Sequence, residues 1–150
     1  MTTRPLLDKE LAKLREHLLE LVRLTDAAIA AAIEAIAERL RAGGRMIYFG
    51  AGTSGRLGML DAAECQPTFD ADESMVLARM AGGTEAFRRA AEGVEDSPAA
   101  GATDASTLGV RRTDAVIGLA ASGRTPYVLG ALAHAREAGA LTVSVACVQG

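Results

Sequence analysis

Three glycines, Gly50, Gly52 and Gly55, stand in the order G-x-G-x-x-G within "YFGAGTSGRLG" (48–58), behind the apolar run "RMIYFG". A loop of this kind at the start of a helix suits a phosphate, because free backbone N–H groups and the positive end of the helix dipole converge there. The dinucleotide version needs an acidic residue about 20 positions on, at the end of the next strand, to hold a ribose hydroxyl. Here that strand ends "ARMAGG", and Asp70, Asp72 and Glu73 precede it, which argues against NAD and FAD. Thr53 and Ser54 add two hydroxyls at the helix start and favour a compact anion such as a phosphate monoester. A second loop, "ASGRTP", repeats the chemistry with Ser122, Gly123, Arg124 and Thr125 ahead of Pro126. Either loop alone also reads as ordinary Ser/Thr capping on a glycine turn; the two together suit a sugar phosphate.

Acids are the other candidates. Glu64 follows Leu57 and Leu60 at i+7 and i+4, a spacing that predicts the buried face of a helix, where a carboxylate is desolvated and suited to act as a general acid. "AEGVEDS" places Glu92, Glu95 and Asp96 at the end of a predicted helix, where acidic charge opposes the macrodipole. His17 and His134 lie among polar residues with no third partner, so no Ser-His-Asp arrangement assembles. Cys65 and Cys147 show no C-x-x-C spacing, and the expectation is two buried, reduced thiols without a metal.

These residues need a scaffold. Leu7, Leu11, Leu14, Leu18 and Leu21 alternate steps of four and three, and the stripe resumes at Ile29, Ile33, Ile36 and Leu40. The spacing predicts one long helix, or two joined near Thr25–Asp26, ended by Gly43–Gly44. Such a seam packs either in a core or against a second subunit. Strands are expected at "RMIYFG", "SMVLARM", "DAVIGLA" and "LTVSVAC". Helices are expected from the glycine loop to Glu64, over 84–94, from Ser97–Pro98 to Gly109, and from Pro126 to Glu137. Strands alternating with helices give an α/β fold, a mostly parallel sheet covered on both faces, whose ligands bind beyond the carboxyl ends of the strands.

The 150 residues are 49% apolar and 23% charged, with no tryptophan and a net charge of −3, so one globular domain is expected. Scattered Arg and Lys offer no field for nucleic acid or an acidic membrane surface. "MTTRPLLDKE" has no signal-peptide core, and no apolar run reaches about 18 residues, so a cytoplasmic protein is expected.

In their order, "GGRMIYFGAGTSGRLGMLDAAECQPTF", "AGGTEAFRRAAEGVEDS" and "DAVIGLAASGRTPYVLGAL" resemble the N-acetylmuramic acid 6-phosphate etherases of the sugar isomerase (SIS) superfamily. The glucokinase regulatory proteins share that fold and parts of the motifs. The resemblance implies an SIS-type, flavodoxin/Rossmann-like three-layer domain over 43–150, incomplete at its C-terminal end, behind a helical segment at 1–42. It implies a lyase without cofactor or metal that removes D-lactate from N-acetylmuramic acid 6-phosphate, acting as a homodimer. By the same resemblance Glu64 matches the acid that protonates lactate and Glu95 the base at C2. Ser122, Gly123, Arg124 and Thr125 match the phosphate loop, and Gly52, Thr53 and Ser54 the sugar pocket. Gln66 stands where the family has proline, and Val148–Gln149 where it has Asn-Pro.

Overall fold

A computed structural model describes residues 4–148, with side chains from Lys9 onward; Gln149 lies outside the described residues. Helix α1 (Arg4–Arg41) runs without interruption. Of the two alternatives, one long helix or a pair joined near Thr25–Asp26, the single helix forms, and the Thr25 hydroxyl donates to the Leu21 carbonyl at 2.8 Å, one turn back, rather than capping a new start. The chain divides into two compact units, Met1–Ala35 and Ile36–Gly150.

In the second unit, strands β1 (Met46–Gly50), β2 (Val76–Met80), β3 (Ala115–Leu119) and β4 (Leu141–Val145) form one parallel sheet in the order β2-β1-β3-β4. Between them lie α2 (Gly52–Phe69), α3 (Gly83–Arg88), a 3-10 turn (Val94–Asp96), α4 (Pro98–Thr107) and α5 (Pro126–Glu137). The two faces are told apart by their contacts. Gly58 of α2 lies against Tyr48 and Leu119, whereas Gly118 lies against Val128 and Leu132 of α5. The expected α/β sheet with helices on both faces is therefore present.

The core sits on the α5 side. Ile47, Phe49 and Val116 are buried there with Tyr127, Val128, Ala131 and Ala135 of α5 and Ala105 of α4. Phe49 pairs in register with Gly118, so the strand residue without a side chain leaves room for the ring, which tilts against Tyr127 at 6.3 Å. At the amino edge of the sheet, the fully buried Asp114 accepts from Arg45 (Nη2 at 2.6 Å, Nε at 3.2 Å, backbone N–H at 3.0 Å) and from the backbone N–H of Arg111 at 3.0 Å. Arg45 also donates to the Leu108 and Gly109 carbonyls, tying the start of β1 to the end of α4.

Two helices differ from expectation. The predicted helix over 84–94 stops at Arg88, and Arg89 is extended. Helix α2 continues past Glu64 to Phe69 and carries Pro67 inside its last turns. Asp70 then closes the helix in a left-handed conformation, its N–H bonded to the Gln66 carbonyl.

Candidate functional site

The two loops singled out by their chemistry lie side by side. β1 and β3 are neighbours, both run in the same direction, and each leads at its carboxyl end into one loop. The chain after β1 turns to one face and the chain after β3 to the other. The crevice between them is thus a topological switch point, the place where open α/β sheets take ligands.

Each loop opens a helix whose start is free of side-chain caps. Ala51 precedes α2, and Thr125 precedes α5, with no cap hydrogen bond from either side chain. The first backbone N–H groups of each helix, which in α5 begin after Pro126, have no intrahelical acceptor. Gly50 and Gly55 explain how α2 begins so close to the sheet: a Cβ on Gly50 would stand 2.7 Å from Gly55, and one on Gly55 would stand 2.7 Å from Met80. Gly52 differs, with φ at +53° and open space around it. Of the three glycines, two bring the helix down and the middle one keeps the loop accessible. In the second loop the Ser122 hydroxyl accepts from the Arg124 N–H at 3.2 Å, and Gly123 takes φ +67°. Ser122 and Arg124 are exposed at the rim.

Glu95 reaches the same edge by a route the sequence did not suggest. It lies in the 3-10 turn ahead of Ser97, whose side chain caps α4 by accepting from the Ala100 N–H at 3.2 Å. Glu95 and Asp96 thus precede a helix N-terminus, the favourable side of the dipole, rather than closing a helix from the unfavourable one. Glu95 is half-buried, and its turn packs against α5, which begins at the second loop. Glu92 is exposed in the segment before it.

Glu64 is placed apart. Leu57, Leu60 and Glu64 share a helix face as their spacing predicts, but that face looks outward: Leu57 is 60% and Leu60 56% exposed, and Glu64 is exposed. The expected burial of Glu64 is therefore overturned. Helix α2 meets the sheet through Gly55 and Gly58, which carry no hydrophobic side chain for periodicity to register. Glu64 lies ten positions after Ser54, a rise of about 15 Å along the axis.

Beside Glu64 lies an open hollow of about 550 Å³, lined also by Tyr48, Leu57, Leu60, Asp61 and Leu119. The Tyr48 hydroxyl donates to Asp61 at 2.8 Å, and burial, reinforced by that carboxylate, raises its pKa well above the ordinary tyrosine value. Asp61 precedes Glu64 by one turn, so a second carboxylate faces the same hollow; its i−3 spacing was the available sequence signal. Arg56 was also missed. Its guanidinium donates to the Ala86 carbonyl at 2.7 Å and the Phe87 carbonyl at 3.1 Å, fastening α2 to the end of α3.

The thiols differ from expectation as well: Cys65 is half-buried and Cys147 exposed. Partial burial, then the nearby Asp61, raises the Cys65 pKa. After β2 the chain continues Ala81–Gly82, with no carboxylate where a dinucleotide ribose would need one. Among the described residues no cluster of His, Cys, Asp and Glu is arranged to hold a metal ion, and no helix is long and apolar enough to cross a membrane.

The chain is 59% identical over 119 residues to the N-acetylmuramic acid 6-phosphate etherase of Mycolicibacterium smegmatis, a match covering 79% of this chain and 40% of that protein. It is 57% identical over 119 residues to that of Clostridium beijerinckii (79% and 39%) and 55% over 120 residues to that of Pectobacterium atrosepticum (80% and 40%). The chain thus spans about 40% of the length of the curated relatives it matches. Residues 28–136 match the N-terminal SIS domain of glucokinase regulatory protein. A parallel sheet with two helix-capped loops at its switch point, homology to the etherases over four-fifths of the chain and this domain match together show that the chain belongs to the glucokinase regulatory protein N-terminal SIS domain family.

Proposed function

We propose that this chain carries the sugar-phosphate site and both acid–base residues of a C–O lyase that acts on N-acetylmuramic acid 6-phosphate. The products are N-acetylglucosamine 6-phosphate and D-lactate, and the setting is recycling of cell-wall amino sugars in the cytoplasm. The observation that carries the reading is the pair of uncapped helix starts, α2 and α5, facing one crevice in a chain 59% identical to such an etherase. On this reading residues 43–150 are the sugar-phosphate-binding domain and residues 1–42 a helical segment ahead of it.

The phosphate sits against Ser122, Gly123, Arg124 and Thr125, where N–H groups, hydroxyls and the Arg124 guanidinium neutralise its charge. Gly52, Thr53 and Ser54 line the sugar. In the open-chain sugar the C1 aldehyde acidifies the C2 proton. Glu95 takes that proton, the C2–H electron pair forms the C2=C3 bond, and the C3–O bond breaks. Glu64 gives its proton to the departing lactyl oxygen. Water then adds at C3, its proton passes to a carboxylate, and C2 is reprotonated. The sequence consumes no oxidant or reductant, and none of its steps requires a cofactor.

Glu64 stands about 15 Å along α2 from Ser54. Its exposed face, with Leu57 and Leu60, suits contact with a second copy. In the proposed homodimer, Glu64 of one copy completes the crevice of the other.

A second reading takes the same placement of Glu64 at face value: a sugar-phosphate-binding module without turnover, in keeping with the regulatory-protein domain that residues 28–136 match. Purified chain incubated with N-acetylmuramic acid 6-phosphate separates the two. The lyase releases D-lactate, and Glu64→Ala and Glu95→Ala lower the rate by about a hundredfold or more. A folded chain that binds the sugar phosphate and releases none is the binding module.

A further inference from the structure

Helix α1 carries an apolar seam that the chemistry above does not use. Leu11, Leu14, Leu18 and Leu21 are each 50–54% exposed, and Val22, Leu24 and Ile29 beside them are 53–58% exposed. Large apolar side chains in this number on one helix mark a surface that packs against something. The seam repeats with the alternating four-three spacing of a heptad, which puts Leu11, Leu18 and Thr25 at one core position and Leu14, Leu21 and Ala28 at the other.

The flanking residues select the partner and its direction. Glu10 and Arg15 fall on opposite flanks of the seam, five residues apart. In two parallel, in-register copies each Glu10 faces the other copy's Arg15, so the pair is made twice. One heptad on, the same flanks bring together His17 and Val22, and then Leu24 and Ile29, which widens the apolar contact. Antiparallel pairing brings like flanks together. With Leu18 opposite Leu21, His17 meets Leu24 and Arg15 meets Val22; with Leu11 opposite Leu21, Glu10 meets Leu24 and Arg15 meets its own copy; with Leu11 opposite Leu14, Arg15 is opposite Asp8 and Glu10 opposite His17, but Leu21, Val22, Leu24 and Ile29 are left without an apolar partner. Only the parallel register pairs the charges along the whole apolar seam. Within a single helix Glu10 is held merely by Lys13 at 3.1 Å on the exposed surface, a contact of small worth.

We infer that α1 pairs in parallel with α1 of a second copy of this chain, through Leu11, Leu14, Leu18 and Leu21, with Glu10 and Arg15 setting direction and register. Beyond Thr25 the apolar positions advance by four, to Ile29 and Ile33, a stutter that unwinds a supercoil and so marks the end of the regular seam. The inference deepens only the homodimer of the proposed function and is independent of its sugar chemistry.

Sedimentation equilibrium of the full chain tests it. The parent is expected to be dimeric, and Leu14→Glu with Leu18→Glu, both at exposed positions, to give a monomer with an unchanged thermal transition of the sheet domain. Glu10→Arg and Arg15→Glu should each weaken the dimer about threefold or more, and the two together should restore it. Direction is read from Leu14→Cys in a chain with Cys65 and Cys147 replaced by serine: mild oxidation links two parallel copies through that one thiol. A dimer that survives the leucine substitutions, or that fails to cross-link at residue 14, removes the parallel coil and leaves the proposed homodimer standing on another surface. A monomeric parent removes both.

Discussion

Asp114 and Glu64 show how differently two carboxylates are held in this chain. Asp114 is wholly buried and receives four hydrogen bonds from Arg45 and Arg111. Burial by itself would raise its pKa, but the Arg45 side chain and the two backbone N–H groups lower it below the ordinary carboxylate range. A carboxyl depressed in the fold contributes stability that is present above about pH 4, its unfolded value, and is lost as the pH falls through the folded value. Thermal melts are therefore expected to show a drop on acidification below about pH 4 that Asp114→Asn reduces. The same substitution should cost about 3–5 kcal/mol at neutral pH, since it leaves the Arg45 guanidinium beside a neutral amide. Glu64, exposed over an open hollow with Tyr48 and Asp61, has no such structural role. Glu64→Ala should leave the melting temperature within about 2 °C of the parent while abolishing lactate release, which circular dichroism and a lactate assay check together.

At the scale of elements, close approach rather than hydrophobic surface sets several contacts. Helices α4 and α5 press together at glycines: a Cβ on Gly130 would overlap the Pro98 carbonyl oxygen, and one on Gly101 that of Tyr127. Gly130→Ala should accordingly destabilise the chain by about 1–3 kcal/mol, read from chemical denaturation, although alanine is the better helix former. The same feature explains what could be read from sequence. Helix α5 was legible to the residue because Pro126 opens it and Gly139 follows its end, and α4 was legible from Ser97–Pro98. The orientation of α2 was not, since periodicity finds the apolar stripe at Leu57 and Leu60 but cannot sense that Gly55 and Gly58 face the sheet. Helix α3 was drawn too long because "FRRAAEG" favours helix locally, whereas the chain is extended at Arg89. The position of both loops was clear from Ser, Thr and Gly beside a helix start; the Tyr48–Asp61 pair, joining a strand to a helix thirteen residues on, was not.

At the scale of the molecule, the sheet order β2-β1-β3-β4 places the loops after β1 and β3 beside one another, a fact no local pattern contains. On the proposed reading this crevice takes the phosphate with Glu95 near its edge, while Glu64 lies on the exposed face of α2. The proposed sharing of the site between copies can be tested without locating the interface. Co-expressed Glu64→Ala and Glu95→Ala chains form mixed dimers in which one crevice has Glu95 from its own chain and Glu64 from its partner. Random pairing makes half the dimers mixed, each with one of its two sites intact, so D-lactate release from N-acetylmuramic acid 6-phosphate should return to about a quarter of the parental rate. Either variant alone should release almost none. A mixture as inactive as its components, beside an active parent, would contradict the shared site and put both glutamates in one chain's crevice; a parent that releases no lactate would contradict the lyase itself.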